Sequence, residues 1–308
     1  MSESENYLFL GSPRVAADIL SGLLDNGCPI TTVVTKEPRR RSRNAQASVT
    51  AVEDIAINHK LEVFYSLSDI SLEKFDLGIV VAYGKIISES TLEKLPLVNL
   101  HFSLLPSLRG AAPVQRSVLN GDSYTGVTLM QIASELDAGD IYDQIEVKID
   151  DNDDIDLLFA KLAKVGIDIL VSNLTVSTDV ETSENKNFSV KNLPIGRQQS
   201  GEITWAPKIT DDELQVLPSD EVLGALNKIK LNRAYFIYQD KKIKIVSAAK
   251  VHSVEITDKE QLFTMRLIDK KLLLRLKDGY IELITLVPQS KSLMSGLSFF
   301  NGYLKPGL

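Results

Sequence analysis

The sequence predicts an α/β protein in which a domain with a mainly parallel sheet is followed by a small β-barrel of the OB-like class. The first half of the chain alternates short apolar segments with segments that carry apolar residues at helical spacing. This alternation is typical of parallel strands connected by helices. Residues 75–84, FDLGIVVAYG, are almost continuously apolar, as expected of a strand covered on both faces. After residue 208 short strands follow one another, which favours a barrel.

The elements before residue 85 follow one another in a regular order. Glycine ends the first strand and the first helix, and β-branched residues fill the second strand. Because parallel sheets of this type bind ligands at the carboxyl ends of their strands, we expect the functional site at that edge. The predicted elements are a strand at 7–11, a helix at 15–27, a strand at 30–35, a helix at 49–60, and strands at 61–65 and 75–84.

Four further elements are predicted between residues 113 and 174. A helix over 113–121 has proline in its first turn and glycine past its end. The segments at 125–132 and 141–149 alternate as strands do. The long segment 155–174 places Leu158, Leu162, Val165 and Ile169 on one helical face, which predicts a helix that packs against the core.

The polar segment 177–202 shows no sustained period and is interpreted as a linker. Beyond it, the Asp278-Gly279 pair between two apolar runs predicts a hairpin. One short helix is expected there, with Ser219 as its cap. We therefore predict a first domain over 1–176, a linker over 177–207 and a second domain over 208–308.

Composition and charge narrow the class of protein. The chain has 308 residues, 44% of them hydrophobic and 24% charged, an ordinary soluble mix. The single cysteine, Cys28, excludes an internal disulfide and a multi-cysteine zinc site and fits a reducing compartment. The acidic start is no signal peptide and no apolar run reaches the length of a membrane span, so we expect a cytoplasmic protein.

The net charge of −7 hides a difference between the two parts of the chain. From Lys208 onward there are 16 Lys and Arg against 12 Asp and Glu, whereas the preceding residues hold 18 against 29. A basic second part behind an acidic first part is consistent with a polyanionic partner for the second, although chance composition explains it equally well.

The stretch LVNLHF (97–102) carries the chemistry that stands out. In a strand, Asn99 and His101 point to the same face, and at a carboxyl strand end both reach the ligand crevice. An amide can hold an oxygen that becomes negative, and an imidazole can exchange a proton near neutral pH. This pair therefore suits acyl transfer. Ser103 is nearby, but no nucleophile-elbow pattern surrounds it, so a covalent serine route is poorly supported.

A histidine in such a role usually needs a carboxylate that fixes its tautomer. The turn ELDAGD (135–140) offers Asp137 and Asp140, and spacing alone does not choose between them. The alternative for the whole set is structural: Asn99 would cap a turn and His101 would be a satisfied core residue.

The segments 99–122 and 125–141, NLHFSLLPSLRGAAPVQRSVLNGD and TGVTLMQIASELDAGDI, resemble the signature of the folate-dependent formyltransferases. The RGAAPVQ form is similar to the members that act on methionyl-tRNA. Further matches extend over almost the whole chain: FLGSPRVAADIL, VVAYGKIIS, GEITWAPKI and QSKSLMSGLSFFNG.

The resemblance implies a Rossmann-like catalytic domain and a tRNA-binding barrel. It implies that Asn99, His101 and Asp137 form the catalytic set, because the family's 38-residue gap from asparagine to aspartate is met at Asp137 and not at Asp140. It further implies formyl transfer from 10-formyltetrahydrofolate to the α-amine of methionyl initiator tRNA, with no metal, by a monomer. The turn that would contact the folate consists of Ser103, Leu104, Leu105 and Pro106.

The tRNA contacts are expected in a basic loop, KEPRRRSRN, at the position of the family's loop that enters the acceptor end. Such a cluster suits phosphate contacts. Lysines and arginines of the barrel could add a tRNA face, and Trp205 is expected to have a packing role at the domain junction. The loop residues concerned are Lys36, Arg39, Arg40, Arg41 and Arg43.

Three other functions are compatible with parts of this pattern. The same site could formylate a small amine, such as an amino sugar nucleotide or glycinamide ribonucleotide, but that acceptor needs neither a basic loop nor a basic barrel. Water in place of the amine would give a formylfolate hydrolase, but the hydrolases carry a regulatory module before the catalytic domain. A catalytically silent tRNA-binding module is disfavoured by the intact Asn99, His101 and Asp137 set.

Overall fold

The computed structural model describes residues 5–38, 48–176, 187–251 and 261–304. The chain divides into two compact units, each built from more than one stretch of sequence. The first unit comprises the described residues within Met1–Pro113, Tyr124–Lys148 and Leu158–Pro207, and the second those within Val114–Ser123, Ile149–Leu157 and Lys208–Leu308.

The first unit is built on a seven-stranded sheet. Its strands are β1 (Tyr7–Gly11), β2 (Ile30–Val34), β3 (Glu62–Phe64), β4 (Leu77–Val81), β5 (Leu97–His101), β6 (Tyr124–Gln131) and β7 (Ile141–Lys148). The order across the sheet is β3-β2-β1-β4-β5-β6-β7. The first five strands pair in parallel, and β6 and β7 add antiparallel strands beyond β5.

The central strands are covered on both faces. Every residue of β1 and β4 is buried, which explains why these segments are continuously apolar instead of alternating. Leu8, Leu10 and Val80 pack with Phe75 and Leu97 in one cluster beside the sheet. Because β6 and β7 lie outside β5, the strand that carries Asn99 and His101 is an inner strand of the sheet.

The helices are amphipathic and follow the predicted segments. Helix α1 (Arg14–Asp25) buries Ile19, Leu20 and Leu23, and α2 (Ala51–Asn58) begins at Thr50, whose side chain accepts a hydrogen bond from the backbone N–H of Glu53. The remaining helices up to residue 192 are α3 (Glu89–Leu92), α4 (Pro113–Asn120), α5 (Ile155–Leu174) and single 3₁₀ turns at Leu67–Asp69, Leu72–Lys74 and Val190–Asn192. A short antiparallel pair joins β8 (Thr175–Val176) to β9 (Asn187–Phe188).

The second unit contains an antiparallel sheet in the order β10-β11-β14-β13-β12, with a sixth strand, β15, on β14. The strands are β10 (Tyr235–Tyr238), β11 (Lys241–Lys250), β12 (Met265–Ile268), β13 (Lys271–Leu276), β14 (Gly279–Pro288) and β15 (Met294–Ser295). Its helical segments are α6 (Val222–Lys230), α7 (Gly296–Phe299), a 3₁₀ turn at Asp212–Leu214 and a π-helical turn at Phe300–Leu304. Its core contains Phe236, Ile245, Leu274, Ile281 and Phe299.

The start of α6 differs from the sequence prediction. The capping residue is Glu221 and not Ser219, and it makes no side-chain capping hydrogen bond. Instead the first helical N–H, of Val222, donates to Asp278 Oδ1 at 2.7 Å. A carboxylate from the hairpin turn thus supplies the acceptor that a local cap would supply, a contact that the local sequence does not reveal.

The architecture confirms the predicted fold class: a mainly parallel Rossmann-like sheet is followed by an antiparallel β unit. The hairpin predicted at Asp278-Gly279 joins β13 to β14. The domain limits 1–176, 177–207 and 208–308 stay predictions. In the structure the longest segment of the second unit begins at Lys208. The unit also contains the earlier segments Val114–Ser123 and Ile149–Leu157.

Candidate active site

Asn99 and His101 lie at the carboxyl end of β5, where β4 runs parallel on one side and β6 antiparallel on the other. The strand conformation confirms that the two side chains share a face of the sheet. Asn99 is half-buried, and its amide makes no hydrogen bond to any residue that the structure describes. Its N–H₂ group is therefore available to bind an oxygen of a ligand.

His101 is only 6% exposed, and both of its ring nitrogens face oxygen atoms. Nε2 lies 2.9 Å from the carbonyl oxygen of Leu108. Because a carbonyl oxygen can only accept, this contact requires the proton on Nε2. Nδ1 lies 3.6 Å from Asp137 Oδ2, which is longer than a direct hydrogen bond and leaves Nδ1 as the nitrogen that can exchange a proton with a water or substrate.

Asp137 lies in the turn at residues 132–140, which connects β6 to β7. Its φ of +49° lies in the left-handed region, which aspartate tolerates better than most residues. Its Oδ2 accepts a hydrogen bond from the backbone N–H of Gly110 at 2.8 Å. The structure thus brings Asp137 to His101, and among the described residues Asp140 forms no ion pair with that histidine.

The glycine at 110 is required by the backbone around it. Its φ is +122°, and a Cβ there would lie 2.9 Å from the carbonyl oxygen of Ala206. Gly110 can therefore come close to Asp137 only because it has no side chain.

The turn Ser103–Leu104–Leu105–Pro106 follows β5 directly and is largely buried. The Ser103 hydroxyl donates to the carbonyl oxygen of Ser107 at 2.6 Å, so it organises the turn and is not poised as a nucleophile. The backbone groups of Leu105 are bound by side chains: its N–H donates to Thr128 Oγ1, and its carbonyl accepts from Gln144 Nε2. The peptide between Leu105 and Pro106 is cis.

Hydrogen bonds of Arg109, which the sequence did not mark as a site residue, connect this site to the segment before Lys208. Arg109 pairs with Trp205 as a parallel β-bridge, in which the Arg109 N–H donates to the carbonyl of Thr204 and the Ala206 N–H donates to the carbonyl of Arg109. The Arg109 guanidinium contacts Glu135 and Gln199. Gln199 lies in the polar segment interpreted as a linker, which carries no periodicity that could have marked it.

Trp205 is 56% exposed, so its ring packs little within the first unit, and its predicted role at the domain junction stays a prediction. The β-bridge to Arg109 fixes its backbone while the indole faces outward. A tryptophan in a polar segment suggests burial because most of its surface is apolar, but here the strand pairing and not the ring holds the segment in place.

Of the five basic residues predicted to contact tRNA in this loop, only Lys36 belongs to the described residues, and its side chain is exposed. Arg39, Arg40, Arg41 and Arg43 lie outside them. In the second unit, Lys228 is bound by Asp220, and Lys242 and Arg233 both contact Asp211. The exposed Lys241 and Lys244 have no acidic partner in the described part of that unit.

Three further observations concern thiol chemistry, metal binding and membrane spans. Cys28 is buried, and burial raises the pKa of its thiol above the ordinary value, so it is not reactive. Within the described ranges no cluster of three or more histidine, cysteine or acidic side chains could hold a metal ion. In the same ranges no helix has the length and apolar character that crossing a membrane requires.

A sequence-family model described as formyl transferase matches residues 6–174. The methionyl-tRNA formyltransferase of Lactobacillus johnsonii is 32% identical over 314 aligned residues, which cover 96% of this chain and 95% of that protein. The similarity therefore includes the residues of both compact units.

Solved structures of similar fold include proteins with different acceptors in their descriptions. The methionyl-tRNA formyltransferase of Clostridium thermocellum matches 83% of this chain and 97% of its own, with a TM-score of 0.57 and 13% identity. An N-formyltransferase of Helicobacter canadensis, in complex with folinic acid and dTDP-3-aminofucose, matches 91% and 99%, with a TM-score of 0.65 and 16% identity.

A third structure is longer than this chain. HypX of Aquifex aeolicus in complex with tetrahydrofolic acid matches 98% of this chain but only 48% of its own, with a TM-score of 0.63 and 15% identity. At these identities the three likenesses bear on the fold alone.

Proposed function

Because this chain belongs to the formyl transferase family, we propose that it transfers a formyl group from 10-formyltetrahydrofolate to the α-amino group of methionyl initiator tRNA. The product, formylmethionyl-tRNA, starts translation. The reaction class is transfer of a one-carbon acyl group between two amines, and the folate is a co-substrate, not a resident cofactor.

The observation that carries this proposal is the 32% identity to a methionyl-tRNA formyltransferase over 96% of the chain. A small-amine acceptor would need the catalytic site but not the antiparallel unit. The likeness to the Helicobacter canadensis enzyme extends over that unit as well, but at 16% identity it bears only on fold. Sequence identity over both units therefore favours the tRNA acceptor.

In the proposed reaction the uncharged α-amine attacks the formyl carbon, and the new C–N bond forms as the carbonyl π electrons move to oxygen. Collapse of this tetrahedral oxyanion breaks the bond to N10 of the folate, which takes a proton and leaves as tetrahydrofolate. Asn99 is assigned to the oxyanion, because its amide is half-buried and has no other described partner. A pre-oriented donor at that point stabilises charge that develops only in the transition state.

His101 and Asp137 are assigned to proton movement. With Nε2 committed to the carbonyl of Leu108, His101 can act as a second donor to the oxyanion only through Nδ1 in its protonated form. Since Nδ1 and Asp137 Oδ2 are 3.6 Å apart, a water beside the pair can contact both atoms and carry the amine proton to the carboxylate. Asp137 would then both orient the ring and accept the proton.

The folate is proposed to lie along the turn formed by Ser103, Leu104, Leu105 and Pro106. Since most of this turn is buried, Leu104, the half-buried residue, offers the largest side-chain surface to a ligand. On the tRNA side we propose phosphate contacts by Lys36, Arg39, Arg40, Arg41 and Arg43, together with lysines of the second unit. We expect the enzyme to act as a cytoplasmic monomer.

The direct test measures formyl transfer from 10-formyltetrahydrofolate to methionyl initiator tRNA, with a small amino sugar nucleotide and water as competing acceptors in parallel assays. Formylmethionyl-tRNA as the favoured product supports the proposal. Faster turnover of the small amine, or release of formate without transfer, would replace it with one of the other enzyme functions. Tight tRNA binding with no turnover would identify a binding module.

A further inference from the structure

A single neutral side chain connects the elements that surround Asp137. Gln199 Nε2 donates to two carbonyl oxygens of the turn between β6 and β7, that of Asp137 at 2.8 Å and that of Gly139 at 2.9 Å. Its Oε1 accepts two hydrogen bonds from Arg109, from Nη2 at 2.7 Å and from Nε at 3.1 Å. All hydrogen-bonding atoms of this amide are thus used within the first unit.

Arg109 depends on this contact because its charge is almost fully buried. Its side chain is 6% exposed, while its acidic partner, Glu135, is 71% exposed and lies 3.2 Å from Nη1. Among the described residues, the other edge of the guanidinium donates hydrogen bonds to the amide oxygen of Gln199 alone. A buried cation needs its donors satisfied, so the orientation of Arg109 is coupled to that of Gln199.

The turn that Gln199 contacts has an uncommon backbone conformation at Asp137. Asp137 has a φ of +49°, and non-glycine residues keep such a conformation only where the surroundings enforce it. The carbonyl of the same residue is the one that accepts from Gln199, while its carboxylate accepts from Gly110. Arg109, which Gln199 also binds, immediately precedes Gly110 in the chain. The same glutamine therefore contacts the turn that bears the carboxylate and the loop that binds it.

We propose that Gln199 is a positioning residue: it fixes the Asp137 turn and the Arg109 loop relative to each other and thereby sets the distance between Asp137 Oδ2 and His101 Nδ1. This inference rests on the proposed function, because it gives Asp137 the role assigned there. Gln199 touches none of the reacting atoms and acts through Asp137.

Two substitutions distinguish the role of the Gln199 amide oxygen from that of its amide nitrogen. Gln199→Ala removes all four hydrogen bonds. Gln199→Glu keeps an oxygen for Arg109, now charged, but removes the donor to the carbonyls of Asp137 and Gly139. The neighbouring Gln198 is exposed and makes no hydrogen bond to the residues that the structure describes, so Gln198→Ala is the matched control.

The expected signature is a fall in kcat with little change in KM. Misplacement of a reacting group by about 1 Å can lower the rate by about 100-fold, and we expect losses of about 10- to 100-fold here. We expect that loss in kcat for both Gln199 variants, with the KM values for the folate and for methionyl-tRNA within about threefold of wild type, because the substrate contacts are untouched. Gln198→Ala should behave as wild type in every respect, and thermal melting shows that each Gln199 variant is folded at the assay temperature.

Amide hydrogen exchange over residues 133–140 gives a second result that needs no substrate. If Gln199 holds the turn, exchange there is faster in Gln199→Glu than in wild type and unchanged in Gln198→Ala. A Gln199→Glu variant with kcat within twofold of wild type and unaltered exchange would overturn the inference. An equal loss of kcat in Gln198→Ala and in the Gln199 variants would also overturn it. If wild type formylates no tRNA, the proposed function fails, and the exchange result still decides whether Gln199 holds the turn.

Discussion

The backbone N–H of Gly110 donates a hydrogen bond to Asp137 Oδ2 at 2.8 Å, the same oxygen that faces His101 Nδ1. The carboxylate is thus fixed by a main-chain donor, whose position does not depend on a side-chain rotamer. Gly110 reaches this position with a φ of +122°, and a Cβ there would lie only 2.9 Å from the carbonyl oxygen of Ala206. The orientation of the proposed base is therefore built into the backbone of the loop after β5.

Asp137→Asn should abolish most activity without unfolding the protein. Asparagine keeps an oxygen for the Gly110 N–H and tolerates the left-handed conformation at this position, but it cannot accept the amine proton. We expect kcat/KM to fall by about 10²- to 10⁴-fold, measured by formyl transfer at saturating folate.

Asp137→Ala provides the comparison for stability. Alanine leaves the Gly110 N–H without its partner and is strained at a φ of +49°, so we expect it to lose about 1–3 kcal/mol of unfolding free energy in urea titrations. Equal stability of the alanine and asparagine variants would contradict the structural part of this prediction. Full activity of Asp137→Asn would contradict the catalytic part.

Asn99→Ala should lower kcat by about 10²- to 10³-fold, the usual loss for one oxyanion donor. Because the amide makes no hydrogen bond to the described part of the protein, the free energy of unfolding should change by less than about 1 kcal/mol. Asn99→Asp is the variant to compare with Asn99→Ala. It keeps the size of the side chain but presents only acceptors, so its kcat should fall as far as that of Asn99→Ala. An active Asn99→Asp enzyme would show that the amide N–H₂ is not the donor.

The common face of Asn99 and His101 could be predicted from the sequence because strand alternation alone determines it. The choice of Asp137 over Asp140 could not be derived from spacing, since both lie in an aperiodic turn, and it came from the resemblance to a family. The left-handed backbone at Asp137, which orients its carboxylate, has no sequence signature in an aspartate. Periodicity predicts elements, but it does not predict how a turn is held.

The residues that hold the site were the ones most difficult to predict. Arg109 and Gln199 are 90 positions apart, and their contact depends on the β-bridge between Arg109 and Trp205. A polar segment with no period is ordinarily a linker, so its main-chain pairing with the loop after β5 could not be predicted from the sequence. For the same reason Asp278 was not predicted to bind the first N–H of α6. Long-range polar contacts of this kind follow from the tertiary fold.

Lys244→Ala should weaken tRNA binding more than Lys242→Ala does. Both lysines lie on one face of β11, but Lys242 Nζ is 2.6 Å from Asp211 Oδ2, whereas Lys244 is exposed and has no acidic partner among the described residues. A lysine already bound to a carboxylate is less available to a phosphate. We expect Lys244→Ala to reduce the slope of log affinity against log salt concentration by about one, measured by filter binding at several salt concentrations. An unchanged slope would place the tRNA elsewhere.

The ion pair between Arg116 and Glu213 should make the stability of the second unit depend on acid pH. Arg116 Nη1 lies 2.5 Å from Glu213 Oε1, and its hydrogen bond is the main reason that the pKa of Glu213 is lowered from 4.5 to about 2. Folding thus favours the ionised carboxylate. Its stabilising contribution is complete above pH 4.5 and is lost as the pH falls towards 2. Since the Glu213 side chain is 37% exposed, solvent screening limits this contribution to about 1 kcal/mol.

Arg116→Met tests this pH dependence through urea unfolding at pH 6, 4 and 3. The difference in unfolding free energy between wild type and variant should be greatest at pH 6 and should shrink as Glu213 becomes protonated. Some depression of the pKa of Glu213 should persist in the variant, because the Thr210 N–H also donates to Oε2 at 2.8 Å. Glu213→Gln serves as the matched control, since it removes the titrating group and should flatten the same pH range. A gap between wild type and Arg116→Met that stays constant from pH 6 to pH 3 would mean that Arg116 stabilises the unit through contacts that do not titrate, such as the hydrogen bond from Nη2 to the Lys208 carbonyl, and not through its ion pair with Glu213.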